Sequence, residues 1–204
     1  VTSSALVLHV NLSVTIWFLA FAASLWSFLG SPRFALWGWL GFWFAAAGAT
    51  IVALSPFARP AAPLMSNYVP VLHSPFFLYG LGLFGAGYAL ALLRALVCAA
   101  GGLREDSAQS AWRFGAYIAA VAAALALFSL AWSLVELPRN LYPGLYFETL
   151  FWGGGHGLQF SHALLMMAAW LWLADGAGIL LPLKPRVVKW LLALGLAPVF
   201  LIPA

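Results

Sequence analysis

Three of the four histidines lie in long apolar runs that hold almost no other ionisable residue: His9, His156 and His162. An ionisable side chain at membrane depth is costly, so each is a functional candidate whose partner has to be found. A neutral imidazole can donate a lone pair to iron, copper or zinc without bringing charge into an apolar interior. Metal or heme ligation is therefore the leading interpretation, and a histidine hydrogen-bonded to a neighbouring helix is the alternative. The fourth histidine, His73, is expected to cap a helix or lie on the surface.

The run from Glu148 to Phe160 is the most informative stretch of the chain. Its three consecutive glycines, Gly153–Gly155, each cost a helix about 1 kcal/mol relative to alanine, which predicts the close approach of another helix or a cofactor. Trp152 and His156 are four residues apart and share one helix face, which Phe160 extends. His156 is expected near the bilayer midplane, about 15 Å below the start of the helix. Glycine-mediated helix packing beside a hydrogen-bonded histidine is the alternative.

Two further residues of this helix have two interpretations each. His162 comes six residues after His156 and is rotated away from its face, so the two cannot bind one metal from a straight helix, and His162 is interpreted as structural or as a supporting donor. Glu148 in the first turn either complements the helix dipole or serves as a proton-entry or metal-linked carboxylate.

The first apolar run carries a second candidate cofactor site around His9. In a helix, His9 shares one face with four other residues and is expected to form an interior stripe above a ring-packed pocket. Those residues are Leu12, Ser13, Ile16 and Trp17. A histidine bonded to a neighbouring helix is the equally weighted alternative.

The composition requires that these residues sit in a membrane protein. Of 204 residues, 65% are apolar and 7% charged, and the mean hydropathy is +1.00, which excludes a soluble domain. At about 20 residues per crossing, we predict a single all-α transmembrane domain over 1–204 with about six spans. The predicted spans are 4–30, 34–54, 75–100, 112–136, 146–174 and 187–204. The last run has no closing polar flank, so this domain is expected to be part of a larger bundle.

Charge predicts the orientation of the bundle. The net charge of +4 is too small and too scattered for a nucleic-acid groove, so no nucleic-acid partner is expected. Alternate loops collect seven basic residues on one side and two on the other. This predicts that loops 31–33, 101–113 and 175–189 are cytoplasmic, in the inner membrane of a bacterium. The larger group is Arg33, Arg94, Arg104, Arg113, Lys184, Arg186 and Lys189, and the smaller is Arg59 and Arg139.

Taken in order, these motifs resemble the catalytic subunit I of the heme-copper oxidase superfamily, which includes terminal oxidases and nitric oxide reductases. The segment from Phe151 to His156 is similar to the family's sixth helix, and the first run is similar to its second helix. Asn67-Tyr68-Val69-Pro70 is similar to an outer loop before the fourth helix. The resemblance covers helices two to seven of about twelve.

The resemblance implies a function and a set of roles. His156 would be a ligand of copper or non-heme iron, supported by Trp152, with Glu148 nearby. His9 would be an axial ligand of a low-spin heme, with Trp17 beside it, and a second heme would face the metal. Electrons from a donor cytochrome or another subunit would then reduce O2 or NO. Membrane lipid is the other expected partner.

Departures from the family pattern bear on the substrate. Phe160 stands where oxidases of the main type have a tyrosine that supplies an electron and a proton, and Leu158 stands where they have a proton-delivering glutamate. These departures favour nitric oxide reduction or an altered site. The remaining metal and heme ligands are absent from these residues. A non-catalytic heme-binding or scaffolding subunit is the alternative function, and a transporter is the least supported.

Overall fold

Helices dominate the computed structural model, which describes residues 2–58, 61–99, 103, 105–180 and 182–201. A π-helical segment, Asn11–Ile16, joins the first two helices into one continuous rod, and two short strands, β1 (Pro63–Leu64) and β2 (Val71–Leu72), pair antiparallel in the longest loop. The α-helices are α1 (Thr2–Val10), α2 (Trp17–Ser27), α3 (Ala35–Ala58), α4 (Pro75–Ala99), α5 (Ala108–Glu136), α6 (Pro143–Gly176) and α7 (Pro185–Leu196).

Among the residues that the structure describes, five helical segments are long and apolar enough to cross a membrane. They are Ser3–Ser27, Pro32–Ala58, Pro75–Ala99, Ala108–Glu136 and Pro143–Gly176. The prediction of an all-α bundle is confirmed, and these five segments match the first five predicted spans. The sixth predicted span instead contains the 12-residue α7 and a short 3-10 helix, Ala197–Leu201, and its last three residues lie outside the described part.

Small residues let the helices pack closely. At Gly48, a β-carbon would lie 2.6 Å from the carbonyl oxygen of Gly80 on α4, so the two backbones are in direct contact. Between α5 and α6, a β-carbon at Gly157 would lie 2.7 Å from that of Ala126. In a membrane, lipid is as apolar as the side chains, so this close approach and interhelical hydrogen bonds provide the stabilisation.

Two side chains extend the contacts of α5 by hydrogen bonding to its backbone. The buried Trp26 of α2 donates its indole N–H to the carbonyl of Ala116 over 3.0 Å, and Ser161 of α6 donates to Ala119 over 2.7 Å. Large aromatic side chains cover the outside of the bundle, including Trp17, Trp43 and Trp170. Such an apolar surface is typical of a protein in contact with membrane lipid.

Contacts between loops agree with the predicted grouping of basic residues. Arg94 Nε donates to the Phe34 carbonyl over 3.0 Å, which brings the end of α4 to the start of α3. Lys189 Nζ donates to the carbonyls of Leu103 and Glu105, which joins the 101–113 and 175–189 loops. Two basic residues used in the count, Arg59 and Arg104, lie outside the described residues.

The loop at the other end is tied to the first helix by Asn11. Its buried side-chain amide donates to Pro70 over 2.6 Å and to Val7 over 2.9 Å. The Asn11 amide donates to the carbonyl of Val7, one turn earlier in the helix, and so competes with the backbone hydrogen bond to that carbonyl. The backbone therefore forms the longer-range hydrogen bonds of a π-helix in the segment Asn11–Ile16. The loop is thereby held over the end of the bundle, beside α6.

Candidate functional site

His156 lies on α6 with both ring nitrogens engaged. Nδ1 is 2.9 Å from the carbonyl oxygen of Trp152, one turn earlier, and the Tyr68 hydroxyl is 2.9 Å from each of the two ring nitrogens. A carbonyl can only accept, so Nδ1 carries the proton in this bond and Nε2 holds the lone pair that accepts the tyrosine proton. The imidazole is thus oriented by the backbone and presents its basic nitrogen to the docked loop.

Two aromatic rings lie beside the imidazole of His156. The centroid of the His156 ring is 4.7 Å from that of Trp152 and 5.0 Å from that of Tyr68, and the tyrosine and tryptophan rings meet edge to face at 6.1 Å. Trp152 and His156 do share a face, as the spacing predicted. Tyr68 had been singled out only as part of a family-like loop, and its contact with His156 joins residues 88 positions apart.

The glycine triplet makes room on two sides of α6. A β-carbon at Gly155 would overlap the ring of Tyr68, so glycine is required there for the loop to dock. On another side, a β-carbon at Gly154 would lie 3.2 Å from the Ala126 carbonyl oxygen of α5. The expected close approach of a neighbouring helix is therefore present, and the loop is a second close neighbour that the sequence did not predict.

Glu148 fixes the loop two turns before His156. One carboxylate oxygen accepts the backbone N–H of Asn67 over 2.9 Å, and the other accepts its side-chain amide. Burial, and secondly the charge of Glu148, raise the pKa of Tyr68, so the phenol stays protonated and donates. Glu148, Trp152 and His156 follow at four-residue intervals, so they form one stripe of α6 that the Asn67–Tyr68 segment covers.

Removing the Tyr68 hydroxyl tests this docking. We expect Tyr68→Phe to keep the ring over Gly155 but to lose the bond to His156, worth about 1 kcal/mol. The backbone amides of residues 67–69 should then lose about fivefold of their protection from hydrogen exchange. Tyr79→Phe is the control, because that side chain is 76% exposed. Unchanged protection in Tyr68→Phe would show that the hydroxyl does not hold the loop.

The second predicted site differs from expectation. His9, Leu12, Ser13 and Trp17 are exposed, with Trp17 64% exposed, so the predicted interior stripe is wrong for the described part of the chain. The reason is Asn11, whose polar side chain turns inward to reach Pro70 and sends the His9 face outward. No hydrogen bond to the His9 ring occurs among the described residues, so that ring is available to a group approaching from outside these helices.

His162 occupies a different environment from His156. Its ring packs against Phe18 at 5.5 Å, and its buried Nε2 has no hydrogen-bond partner within the described ranges. Two cavities of about 490 and 380 Å³ meet at these two rings, between α2 and α6. Neither cavity is predictable from the sequence, because each depends on contacts between helices that are distant along the chain.

The histidines do not assemble a complete metal site by themselves. Within the ranges that the structure describes, no three His, Cys, Asp or Glu side chains are close enough together to hold a metal ion. His156 and His9 each supply a single imidazole nitrogen. A metal or heme bound at either would therefore take its other ligands from elsewhere in the protein.

Two longer proteins of undetermined function are similar to this chain. It is 28% identical over 197 residues to the uncharacterized protein RP382 of Rickettsia prowazekii and 33% identical over 175 residues to an uncharacterized protein of Aquifex aeolicus. Each alignment covers 82% of this chain but only 38% and 42% of those relatives. No family model and no solved structure matches. The chain thus spans about two fifths of the length of the curated relatives it matches.

Proposed function

We propose that the protein is a membrane oxidoreductase subunit, related to heme-copper oxidase subunit I, that passes electrons to O2 or NO. The observation that carries the proposal is the orientation of His156. Its Nδ1–H is bonded to the Trp152 carbonyl, which leaves Nε2 as the nitrogen with a free lone pair beside the Tyr68 hydroxyl. Histidine ligands of metals are typically held in this way, with one ring nitrogen bonded to a backbone carbonyl and the other directed at the metal.

The residues present suit one ligand position of a copper or non-heme iron centre. His156 Nε2 would hold the metal, and the chemistry that the metal would supply there is binding of the gas and transfer of electrons to it. The Tyr68 hydroxyl would have to leave Nε2, and as a neutral donor it could then turn toward the substrate. Trp152 and Tyr68 cover the imidazole with aromatic surface and limit the access of water.

His9 supports the proposal in another way. It is exposed on the first helix, among residues that would otherwise face lipid, where an imidazole is costly unless it is paired. We infer that His9 would hold a low-spin heme as an iron ligand, and that Trp17 would pack against it.

Reduction of either gas consumes protons, and two groups close to His156 along the chain or in space can hold one, the Glu148 carboxyl and the Tyr68 hydroxyl. Glu148 bonds to Asn67, and the adjacent Tyr68 reaches the imidazole. In this proposal Glu148 takes up protons at the end of the bundle and Tyr68 holds one beside the reacting gas. In oxidases, polar residues that serve O–O cleavage occupy the positions of Phe160 and Leu158. Both residues are apolar in this chain, so NO is the favoured substrate.

Localisation and partners follow from the same proposal. The end carrying Arg33 and Lys189 would face the cytoplasm of a bacterium, and the Asn67 loop would face outward. An electron-donor cytochrome or another subunit would approach from that outer end.

Absorption spectroscopy tests the proposal on the full-length protein in detergent. We expect two heme signals in the pyridine hemochrome assay, of which one responds to CO, and His9→Ala should remove the low-spin signal. His73→Ala is the control, because it changes an exposed loop histidine at the same end. Absence of heme from the wild type would overturn the proposal and favour a scaffolding subunit, and heme without a CO response would favour a non-catalytic electron carrier.

A further inference from the structure

A cavity of about 450 Å³ lies between α2 and α3. Within the described chain, α2 and α3 hardly touch each other, and both pack against α4, which forms the floor. Two of its lining residues, Ala20 on α2 and Phe42 on α3, are exposed. The cavity therefore opens between these two helices to the outside of the bundle.

Small residues make this cavity a smooth groove along α3. Its wall on that helix is built from Gly38, Gly41, Ala45, Ala46 and Ala49. From Gly38 to Ala49 the groove is about 16 Å long, at about 1.5 Å per helical residue. Half of a bilayer's hydrocarbon core is about 15 Å thick. The groove therefore has the length of one acyl chain within a single leaflet.

Arg94 places a positive charge at one end of the groove. Its guanidinium is half-buried, and two of its nitrogens face the carbonyls of Phe34 (3.0 Å) and Ser31 (3.5 Å). A β-carbon at Gly30 would overlap this group, and one at Gly38 would lie 3.4 Å from Nε, so glycine leaves the space that the guanidinium fills. None of the described residues that line the cavity is acidic.

Tyr88 adds an independent sign of a ligand. Its side chain is only 2% exposed and lines the floor of the groove, yet its hydroxyl has no hydrogen-bond partner in the part of the chain that the structure describes. A buried hydroxyl without a partner costs free energy, which an ester oxygen in the groove would recover.

We propose that this groove binds an anionic phospholipid. The phosphate pairs with Arg94 at the end of α4, and one acyl chain lies along the glycines and alanines of α3. A guanidinium favours a headgroup of net negative charge over a zwitterionic one here, because no carboxylate among the described lining residues can pair with a choline. The apolar length of the groove favours a lipid over a free phosphate. Hydrogen bonds from the guanidinium to phosphate are also charge-assisted.

Lipid titration of the full-length protein, followed by native mass spectrometry, tests the proposal. We expect phosphatidylglycerol to bind about tenfold more tightly than phosphatidylcholine, and Arg94→Gln to remove this preference. Arg33→Gln is the matched control, since Arg33 is an exposed arginine at the same end of the bundle, and it should keep the preference. Glycerol phosphate alone should not bind; binding as tight as that of the lipid would overturn the proposal in favour of a free-anion site.

A second pair of variants tests the groove without touching the charge. Ala46→Phe fills the groove and should weaken phosphatidylglycerol binding about tenfold, whereas Ala47→Phe changes the neighbouring exposed residue outside it and should not. This pair decides the matter even where Arg94→Gln fails to fold. Equal lipid binding in Ala46→Phe and the wild type would overturn the proposal, and so would an unchanged headgroup preference in a folded Arg94→Gln protein.

Discussion

Replacing His156 by alanine in the full-length protein is expected to abolish gas reduction and to leave in place the low-spin heme that the proposed function assigns to His9. The proposed function makes His156 a direct ligand of the non-heme metal, and the loss of one imidazole from such a centre is expected to lower the turnover rate by more than about 100-fold. The low-spin heme absorption should not change, because His156 bonds to Tyr68 and Trp152, whereas no hydrogen bond to the His9 ring occurs among the described residues. Turnover is measured as NO or O2 consumption, and metal content by mass spectrometry.

Controls separate ligation from packing. His162→Ala removes an imidazole from the same helix, six residues away and packed on Phe18, and should retain the metal. Trp152→Phe keeps the backbone carbonyl that orients His156, so it should lower turnover by much less than His156→Ala does. Equal metal content in His156→Ala and the wild type would contradict the assignment of His156 as a ligand.

Local signals in the sequence were sufficient for the helices and for part of the site. Apolar runs broken by proline, glycine and charge located the five long helices, because each span must satisfy its own backbone hydrogen bonds. The four-residue spacing of Trp152 and His156 predicted their shared face for the same reason: helix geometry is fixed by a few neighbouring residues.

Features that depend on distant contacts were not predictable. The Asn67–Glu148 bond joins residues 81 positions apart, and nothing local to either residue specifies the other. The π-helical segment depends on Asn11 reaching Pro70, 59 positions away, and that contact sends the His9 face outward against expectation. Helix periodicity defines which residues share a face, but the direction of that face is set by whichever side chain finds a buried partner.

The close contact of α3 with α4 should be the most sensitive point of the bundle. We expect Gly48→Leu to lower the free energy of unfolding by about 3 kcal/mol or more, because its β-carbon would lie 2.6 Å from the Gly80 carbonyl oxygen and 2.7 Å from the Phe84 α-carbon. Both neighbours are backbone atoms, so the helices can relieve the overlap only by moving apart, which sacrifices the dispersion contacts that hold them together in lipid. The measurement is unfolding of the purified protein by SDS titration.

Gly82→Leu on α4 is the matched control, because a β-carbon there meets nothing within 4 Å. Gly82→Leu introduces the same side chain as Gly48→Leu and the same gain in helix propensity, about 1 kcal/mol, but causes no overlap. The stability of the Gly82→Leu protein should therefore equal or exceed that of the wild type. Equal stability of the two variants would mean that α3 and α4 are held by their larger side chains. If only Gly48→Leu unfolds readily, the glycines on this pair of helices are required for backbone contact, and the alanine-lined groove beside them is bounded by rigid walls.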